Sequence, residues 1–356
     1  MIQECDLLEV NNSGIVFSDA SVETAITIYR NSKYFGKTKI INNNQLFEVD
    51  FNKLNLLTDD NKYLVNLNKD SIGLLLKLNK FDKLNKLAKV WRGLTTGNDK
   101  KYLSIDSLNI NYKPLITGSD VSRYFMHKNE KFVNYIPKEL DRPRDERIFL
   151  LEEKLISKFV GNRLTFCYDN KKHYVLNSGC SLELLNSDIS IKYLLCILNS
   201  KLLDYFFQNI FGDTRTTFPI MKSGNIESLP VHKIDYNKQK WFIEKADLML
   251  SLNRELHEQS QKFQRTIQRK FDIEDLPKKL QDWYSLSYGE FVKELAKKKI
   301  KLTLSEESDW EEYFNTEALK VNAIKTQIET TDKAIDVMVY ELYGLTPDEI
   351  QIIENS

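Results

Sequence analysis

Val90–Leu103 (VWRGLTTGNDKKYL) and Tyr112–Tyr124 (YKPLITGSDVSRY) are the two stretches that decide the predicted fold of this chain. Each places a β-capable run beside a turn rich in Gly, Thr, Asn and Ser, with cationic and amide side chains next to it. Turns of this kind leave backbone N–H groups and short polar side chains free to meet a ligand. The two stretches therefore indicate a binding surface built from turns.

The composition limits the classes of protein to consider. A length of 356 residues predicts two or three domains. No stretch approaches the roughly 20 apolar residues that span a membrane, and Met1–Asp6 has neither the basic nor the apolar region of a secretory signal. Abundant Asn and Lys hint at an AT-rich bacterial genome. The widely spaced cysteines fit reduced thiols in a cytoplasm, and these are Cys5, Cys167, Cys180 and Cys196.

The net charge of zero hides a gradient along the chain. Between Phe81 and Cys180 there are 19 Lys and Arg against 12 Asp and Glu, whereas Lys301–Ser356 has 4 against 13. A neutral total does not exclude nucleic acid, because binding depends on a local basic face. An ordinary solvated surface is the alternative, and charge alone does not separate the two.

Hydrophobic periodicity predicts the elements of the first two thirds of the chain. Two strands are expected at Asp6–Val10 and Val22–Tyr29, and a short helix at Ser71–Phe81. From about residue 84 to 232, short strands alternate with turns around one helix at Lys192–Gln208. Proline in Leu229-Pro-Val marks the end of this region.

The last third is predicted to be helical. Lys238–Lys270 is amphipathic, with a stripe of Trp241, Leu248, Leu252, Leu256, Phe263 and Ile267. A second helix at Trp310–Tyr343 has the heptad spacing of a coiled coil or a packed helical pair, formed by Val321, Ile324, Ile328, Thr331, Ile335, Met338 and Leu342. Self-association through these helices is possible. An insert at Asp282–Glu312 has a core of Trp283, Phe291, Leu295 and Trp310, while Gly344 ends the helix and Thr346-Pro347 begins another.

Five segments in order resemble the target-recognition domain of TaqI-like adenine-specific DNA methyltransferases and type IIG restriction–modification enzymes. They are the two stretches above, the strands of Leu155–Asp169 and His173–Ser178, the Leu-Asn-Ser helix of Leu194–Tyr205, and the exit from Phe218-Pro-Ile to Leu229-Pro-Val. No single segment is specific, but the ordered set is fairly specific. The resemblance implies a protein that reads duplex DNA.

Both ends of the chain extend this resemblance. Gly14–Tyr29 resembles a late methyltransferase segment that supplies an aromatic residue to the adenine pocket, which implies that Phe17 stacks on the flipped base; a core phenylalanine is the alternative. Asp332–Ile350 resembles the end of type IIG enzymes, where two long helices form a spacer. The expected fold is α+β: a remnant of an α/β methyltransferase sheet at 1–82, a mixed α/β target-recognition domain at 83–232, and a helical spacer with two long helices at 233–356.

The motifs of catalysis are missing from the sequence. There is no Pro-Pro motif, no G-x-G loop after a strand and no recognisable nuclease signature. Cys167, His173 and Cys180 lack the spacing of common zinc sites and are interpreted as buried thiols and a surface histidine. We therefore expect the chain alone to be catalytically silent, without a metal or a cofactor of its own. S-adenosylmethionine is expected on a separate catalytic polypeptide.

Candidate DNA-binding residues follow from the chemistry of each partner. Phosphate contacts position a protein on the duplex. From the turn they would come from Thr95, Thr96 and the backbone N–H groups of Thr96–Asn98. From cationic side chains they would come from Lys100, Lys101, Lys128, Lys158 and Arg163. Base reading needs planar or bidentate donors, which makes Arg92, Asn98 and Arg123 the candidates. As alternatives, Arg92 could pair with a carboxylate and Asn98 could cap its turn.

Two hypotheses follow. In the first, the chain is the DNA-recognition fragment or subunit of a restriction–modification system and directs adenine methylation by a separate methyltransferase polypeptide. In the second, it is a helical protein-interaction module from a split or decayed gene that no longer reads DNA. Whether the neighbouring gene encodes the missing catalytic motifs would discriminate between them.

Overall fold

The computed structural model describes residues 6–16, 23–32, 36–42, 45–50, 67, 69–127, 130–185, 187–212 and 220–356. The contacts divide the chain into two compact units, one of Met1–Ile243 with Asp336–Ser356 and one of Glu244–Ile335. All the described strands lie in the first unit together with several helices, whereas the second unit is helical, which confirms the expected mixed α+β fold. No helix in the described part of the chain is long and apolar enough to cross a membrane. The three-part division at residues 82 and 232 stays a prediction.

The N-terminal residues form a four-stranded sheet of order β2-β1-β3-β4. Its strands are β1 (Asp6–Ile15), β2 (Glu23–Arg30), β3 (Lys37–Asn42) and β4 (Gln45–Asp50). β1 pairs antiparallel with β2 and parallel with β3. The two strands predicted from the sequence are confirmed, whereas the hairpin of β3 and β4 was not predicted.

The central segment contains two further four-stranded sheets. Their strands are β5 (Ala88–Arg92), β6 (Leu103–Ser104), β7 (Tyr112–Ile116), β8 (Val121–Ser122), β9 (Phe125–Met126), β10 (Phe132–Asn134), β11 (Lys154–Lys158), β12 (Phe166–Asp169), β13 (Tyr174–Val175) and β14 (Gly179–Leu184). The first sheet has the order β12-β11-β14-β5 and the second β13-β7-β10-β6, while β8 pairs with β9. Ile156 and Cys167 of the first sheet share one core with Val133 and Val175 of the second.

The helices follow the same chain order. They are α1 (Lys69–Leu78), α2 (Asp99–Tyr102), α3 (Ile191–Asn199), α4 (Lys201–Phe211), α5 (Ser223–Glu227), α6 (Lys240–Phe271), α7 (Lys278–Gln281), α8 (Tyr288–Lys297), α9 (Leu304–Leu342) and α10 (Pro347–Glu354). Short 3-10 turns lie at Leu84–Lys86, Gly118–Asp120, Pro137–Glu139, Glu146–Ile148, Tyr236–Gln239 and Trp283–Ser285. The predicted helices near residues 71, 240, 310 and 347 are confirmed, and α9 begins earlier than expected.

The single helix predicted at Lys192–Gln208 is wrong, because Ser200 divides it into α3 and α4. Ser200 has an extended backbone, with φ −70° and ψ 154°, and its hydroxyl accepts a hydrogen bond from the Leu203 N–H. It therefore ends one helix and caps the next. Apolar residues continue on both sides of Ser200, because α3 is buried almost throughout and α4 is buried along much of its length, and so the sequence pattern conceals the break.

The last residues of the chain, Asp336–Ser356, belong to the first unit and pack against its other residues. The Tyr343 hydroxyl donates a hydrogen bond to the Pro230 carbonyl at 2.9 Å and accepts one from the His232 N–H at 3.1 Å. The Phe81 ring lies 4.6 Å from that of Tyr343. Gly344 follows α9 with φ +62°, as expected of a helix-ending glycine. The C-terminal segment that resembles type IIG endings thus packs against the end of the central segment, at Pro230 and His232.

The second unit is organised around an aromatic core. Phe263 of α6 stacks on Trp283 with ring centroids 3.8 Å apart, and Phe291 of α8 packs against Phe314 of α9. The four residues predicted as the core of the insert are all buried in this cluster, namely Trp283, Phe291, Leu295 and Trp310. Most of the predicted heptad positions are also buried, including Val321.

The predicted stripe on α6 is wrong at its N-terminal end. Trp241 is 68% exposed and Leu248 41% exposed, whereas Phe263 and Ile267 are fully buried. The aromatic core covers only the later turns of α6. The early turns of α6 bury other positions instead, among them Met249, so the two exposed residues lie beside the buried stripe and not on it.

Candidate nucleic-acid interface

The two turn-rich stretches converge on one segment, residues 175–179. After β5 the chain runs beside this segment, with the Gly93 N–H donating to the Gly179 carbonyl at 3.0 Å and the Leu94 N–H donating to the Val175 carbonyl at 2.8 Å. From the other stretch, the Gly118 N–H donates to the Ser178 hydroxyl at 2.9 Å. Three motifs that are distant in sequence thus form one surface of turns.

Glycine is required where both stretches meet this segment. A Cβ atom on Gly93 would lie 2.2 Å from the Leu176 carbonyl oxygen, and one on Gly118 would lie 2.2 Å from the Ser178 carbonyl oxygen. Both contacts are with backbone atoms, so a side chain would force the segments apart. The two glycines set how closely the turns approach each other.

Arg92 occupies the centre of this surface. Its guanidinium lies over the Phe159 ring at 3.7 Å from the centroid, and its Nε donates to the Asn177 carbonyl at 3.2 Å. The residue is exposed. Its contacts are therefore with a ring and a carbonyl rather than with the carboxylate considered as an alternative. Stacking holds the planar group in place while part of its fork still faces solvent.

The turn after β5 is held by its own side chains and by Arg142. Thr95 exchanges two backbone hydrogen bonds with Arg142, at 2.9 and 3.0 Å. The buried Thr96 hydroxyl binds the Asp99 carboxylate. Asn98 Oδ1 accepts a hydrogen bond from the Lys101 N–H at 3.2 Å and caps α2. The side-chain oxygen of Asn98 therefore caps the helix, as the alternative to base reading proposed.

The two lysines of α2 differ in their surroundings. Lys101 Nζ donates to the Tyr102 hydroxyl at 2.8 Å and to Glu139 at 3.2 Å. The hydrogen bonds to Tyr102 and to Glu139 raise the pKa of Lys101. Lys100 is exposed and has no ion pair among the described residues. Lys100 is thus the more available cation of the two.

Two predicted contact residues are engaged at the junction with α3 and α4. Arg123 Nη2 donates to the Asn199 carbonyl at 2.6 Å, and Arg163 Nε lies 3.5 Å from the Asp204 carboxylate. These contacts hold strands and loops against the helices, so each arginine has a structural role in the fold.

The other predicted contact residues are less constrained by the structure. Lys158 ends β11 beside the stacked Phe159, is partly exposed, and forms no ion pair within the described ranges. Phe17 and Lys128 lie outside the described residues.

Sequence reasoning missed Arg144, which lies beside Arg92. Arg144 Nε donates to the Gly93 carbonyl at 3.3 Å, and its backbone has φ +67°. Burial raises the pKa of the Cys180 thiol to about 12, while the nearby charges of Arg92 and Arg144 act in the opposite direction. Both guanidiniums therefore lie close to the same end of β14. The run Arg142-Pro-Arg144 was a signal in the sequence, but the acidic residues around it concealed the excess of positive charge.

A buried charge cluster supports this surface. Lys154 is fully buried, with Nζ 2.6 Å from the Asp169 carboxylate and 2.7 Å from the Phe149 carbonyl oxygen. His173 Nδ1 lies 2.7 Å from the other Asp169 oxygen, and its side chain is only 19% exposed. The prediction of a surface histidine is therefore wrong, because the contact with the buried Asp169 leaves most of the His173 side chain buried. The predicted burial of Cys167 and Cys180 is confirmed.

The ionisation of this cluster follows from its contacts. Burial raises the pKa of Asp169, but the hydrogen bond from His173 and the charge of Lys154 outweigh burial and bring the value to about 2. Burial lowers the pKa of Lys154, and Asp169 opposes that change. Asp169 is thus a carboxylate near neutral pH, and it fixes the loop that leads into residues 174–179.

Comparisons with known proteins bear on the central segment. Residues 113–231 match the family model of the TaqI-like C-terminal specificity domain, which confirms the resemblance of this segment to a target-recognition domain. The stretch Val90–Leu103 lies before the matched range. Residues 235–339 match a domain of unknown function (DUF8810).

One solved structure similar to the chain is that of the type IIL restriction–modification enzyme MmeI in complex with DNA. The sequences are 10% identical and the TM-score is 0.42, over 99% of this chain and 46% of that one. The chain thus spans about half the length of that enzyme. No curated protein matches the chain.

Proposed function

We propose that this chain reads a duplex DNA sequence through its central segment as part of a restriction–modification system. The match of residues 113–231 to a specificity domain supports a role in DNA recognition within such a system. The observation that carries the proposal is the surface around residues 175–179, where Arg92 is stacked and exposed beside Arg144. This surface presents planar cationic donors without a carboxylate partner among the described residues.

In this proposal Arg92 reads a base edge. A guanidinium can donate two hydrogen bonds to O6 and N7 of guanine in the major groove, which is the commonest specific contact with DNA. The Phe159 ring orients the guanidinium before DNA arrives, so that little rotamer freedom is lost on binding. Lys100 and Lys158 would bind phosphates and set the register of the protein on the duplex. Thr95, Thr96 and Asn98 would shape the turn that carries these contacts.

The experiment that tests DNA reading is a selection from randomised duplexes with the full chain. The proposal predicts enrichment of one sequence motif and an affinity that falls as salt rises, because phosphate contacts release counterions. Enrichment of no motif, or binding that is indifferent to salt, would refute it.

The proposal extends to adenine methylation by a separate polypeptide that binds S-adenosylmethionine. It rests on the resemblance of the five segments to adenine-specific DNA methyltransferases, and Phe17 would stack on the flipped adenine. Methyl transfer to the selected duplex should occur only when the chain is mixed with a methyltransferase polypeptide encoded beside it. Methyl transfer by the chain alone would contradict the proposal that recognition and catalysis lie on separate polypeptides.

The alternative of a helical module that only binds protein has less support. Its main feature was the heptad spacing of α9, yet Val321, Ile324 and Ile335 are already buried by residues of this chain. An apolar seam that is covered within the chain is not available to a partner.

A further inference from the structure

The second unit carries a dense lysine surface on two short helices and the loop that follows them. This lysine surface consists of exposed side chains on α7, on α8 and after α8, and its members are Lys278, Lys279, Lys293, Lys297, Lys298, Lys299 and Lys301. Nothing in the proposed reading of bases uses these residues.

One carboxylate brings the lysines of the two helices together. Lys279 Nζ lies 3.5 Å and Lys297 Nζ 2.7 Å from the same Glu294 oxygen. The two ammonium groups therefore lie near each other, which places Lys279 of α7 and Lys297 of α8 on one surface.

This surface retains an excess of positive charge. Glu294 can neutralise only one of the two lysines that it binds. Glu290 accepts hydrogen bonds from the Ser287 N–H at 2.8 Å and from the Ser287 hydroxyl at 3.0 Å, and its charge also interacts with Lys279 and Lys293. Two carboxylates thus stand against the seven lysines of the surface. The remaining lysines form no ion pair in the part of the chain that the structure describes, and these are Lys278, Lys293, Lys298, Lys299 and Lys301. Such a concentration of one charge raises the local density of anions.

Helix stability explains only part of this pattern. Cations near a helix C-terminus interact favourably with the helix dipole, which accounts for Lys297 and Lys298. It does not account for Lys278 on α7 or for Lys301 beyond the helix. Lys299 lies two residues after the end of α8 and has φ +65°, a conformation that favours glycine, so the chain places a charge there at a conformational cost.

We infer that the lysine surface binds the phosphate backbone of duplex DNA outside the base pairs read by the central segment. Lysine is a compact point charge that suits phosphate oxygens and reads no base edge. A protein partner would require an apolar core at its interface, but Phe291 and Leu295, which lie between the lysines in sequence, are buried inside the unit. This inference rests on the proposed function, since the surface would act on DNA that the central segment has bound.

The test uses the full chain and two duplexes that contain the selected sequence, of about 14 and about 40 base pairs. In the variant, Lys298→Gln, Lys299→Gln and Lys301→Gln are combined. The matched control combines Lys69→Gln, Lys80→Gln and Lys333→Gln, which are also exposed and without an ion pair among the described residues. Dissociation constants are measured over a series of salt concentrations.

On the long duplex we expect the variant to lower the magnitude of the slope of log K against log salt by about 2.7, since each of the three phosphate contacts that it removes contributes about 0.9. On the short duplex its slope should equal that of the wild type, and the control should change neither. An unchanged slope on the long duplex, or an equal change on both lengths, would overturn the inference. A wild type without sequence preference would refute the proposed reading of bases but not the inference about the lysine surface. The salt slope on the long duplex measures phosphate contacts whether or not bases are read.

Discussion

Individual residues around the Gly93 turn show which parts of the candidate site local chemistry can identify. The position of Arg92 at the end of β5 and the capping role of Asn98 could be predicted, because each depends on one short stretch of sequence. That either residue reads a base stays a prediction. The contact of Arg144 with Gly93 could not be predicted, since it joins residues from different parts of the chain. The engagement of Arg123 with the end of α3 was hidden for the same reason.

Gly93 should be intolerant of any side chain. We expect Gly93→Ala to lower the free energy of unfolding by about 1–3 kcal/mol, because the new Cβ would lie 2.2 Å from the Leu176 carbonyl oxygen. Urea denaturation measures the change. Gly289→Ala is the matched control, since nothing lies within 4 Å of its Cβ and α8 should gain up to about 1 kcal/mol. Equal stability of the two variants would disprove the close approach at Gly93.

Asp169 should make the stability of the protein depend on acid. Its folded pKa of about 2 lies below the unfolded value of about 3.9, so its contribution is complete above about pH 4 and is lost as the pH falls towards 2. We expect Asp169→Asn to cost about 3 kcal/mol at pH 7, because Lys154 keeps its burial and loses its partner.

The measurement is the free energy of unfolding of wild type and Asp169→Asn from pH 7 down to about pH 2. The difference between them should narrow as Asp169 becomes protonated in the wild type. A difference that stays constant with pH would show that Asp169 is not the ionised partner of Lys154.

At the scale of elements, periodicity predicted the long helices and the first two strands but not where a helix breaks. The break at Ser200 is set by Asn199, whose Oδ1 accepts from the Phe166 N–H at 2.9 Å and whose Nδ2 donates to the Phe166 carbonyl at 3.0 Å. The amide thus joins the end of α3 to β12 as a neighbouring strand would. A contact with a strand that lies 33 residues earlier leaves no local signal in the helix.

Asn199 should therefore require a side chain that both donates and accepts. We expect Asn199→Asp to cost about 2 kcal/mol or more, since the carboxylate loses the donor to Phe166 and is buried. Asn209→Asp is the control, because that half-buried side chain makes its contact within α4. Thermal unfolding compares the two variants, and an equal loss at both positions would argue against a special role for Asn199.

At the scale of the whole molecule, the order of elements was predictable and the long-range closure was not. Local sequence predicted two strands, a central region of turns and a helical end. It did not predict that α10 returns to the first unit, where Glu349 pairs with Lys77 of α1 at 2.6 Å. Such closure depends on contacts between the two ends of the sequence, which a local pattern does not contain.

The central claim belongs to the whole molecule, because reading DNA requires the three turns that meet around residues 175–179 to act together. The most direct test is equilibrium binding to the selected duplex and to duplexes in which each base pair is replaced in turn, with wild type, Arg92→Ala and Arg92→Lys. We predict that both variants lose about 1–3 kcal/mol of discrimination at one guanine position and keep it at the others. Neither variant should change the salt dependence by as much as the loss of a phosphate contact would, because Arg92 is assigned to a base edge. Discrimination that is unchanged at every position in Arg92→Ala would contradict the account.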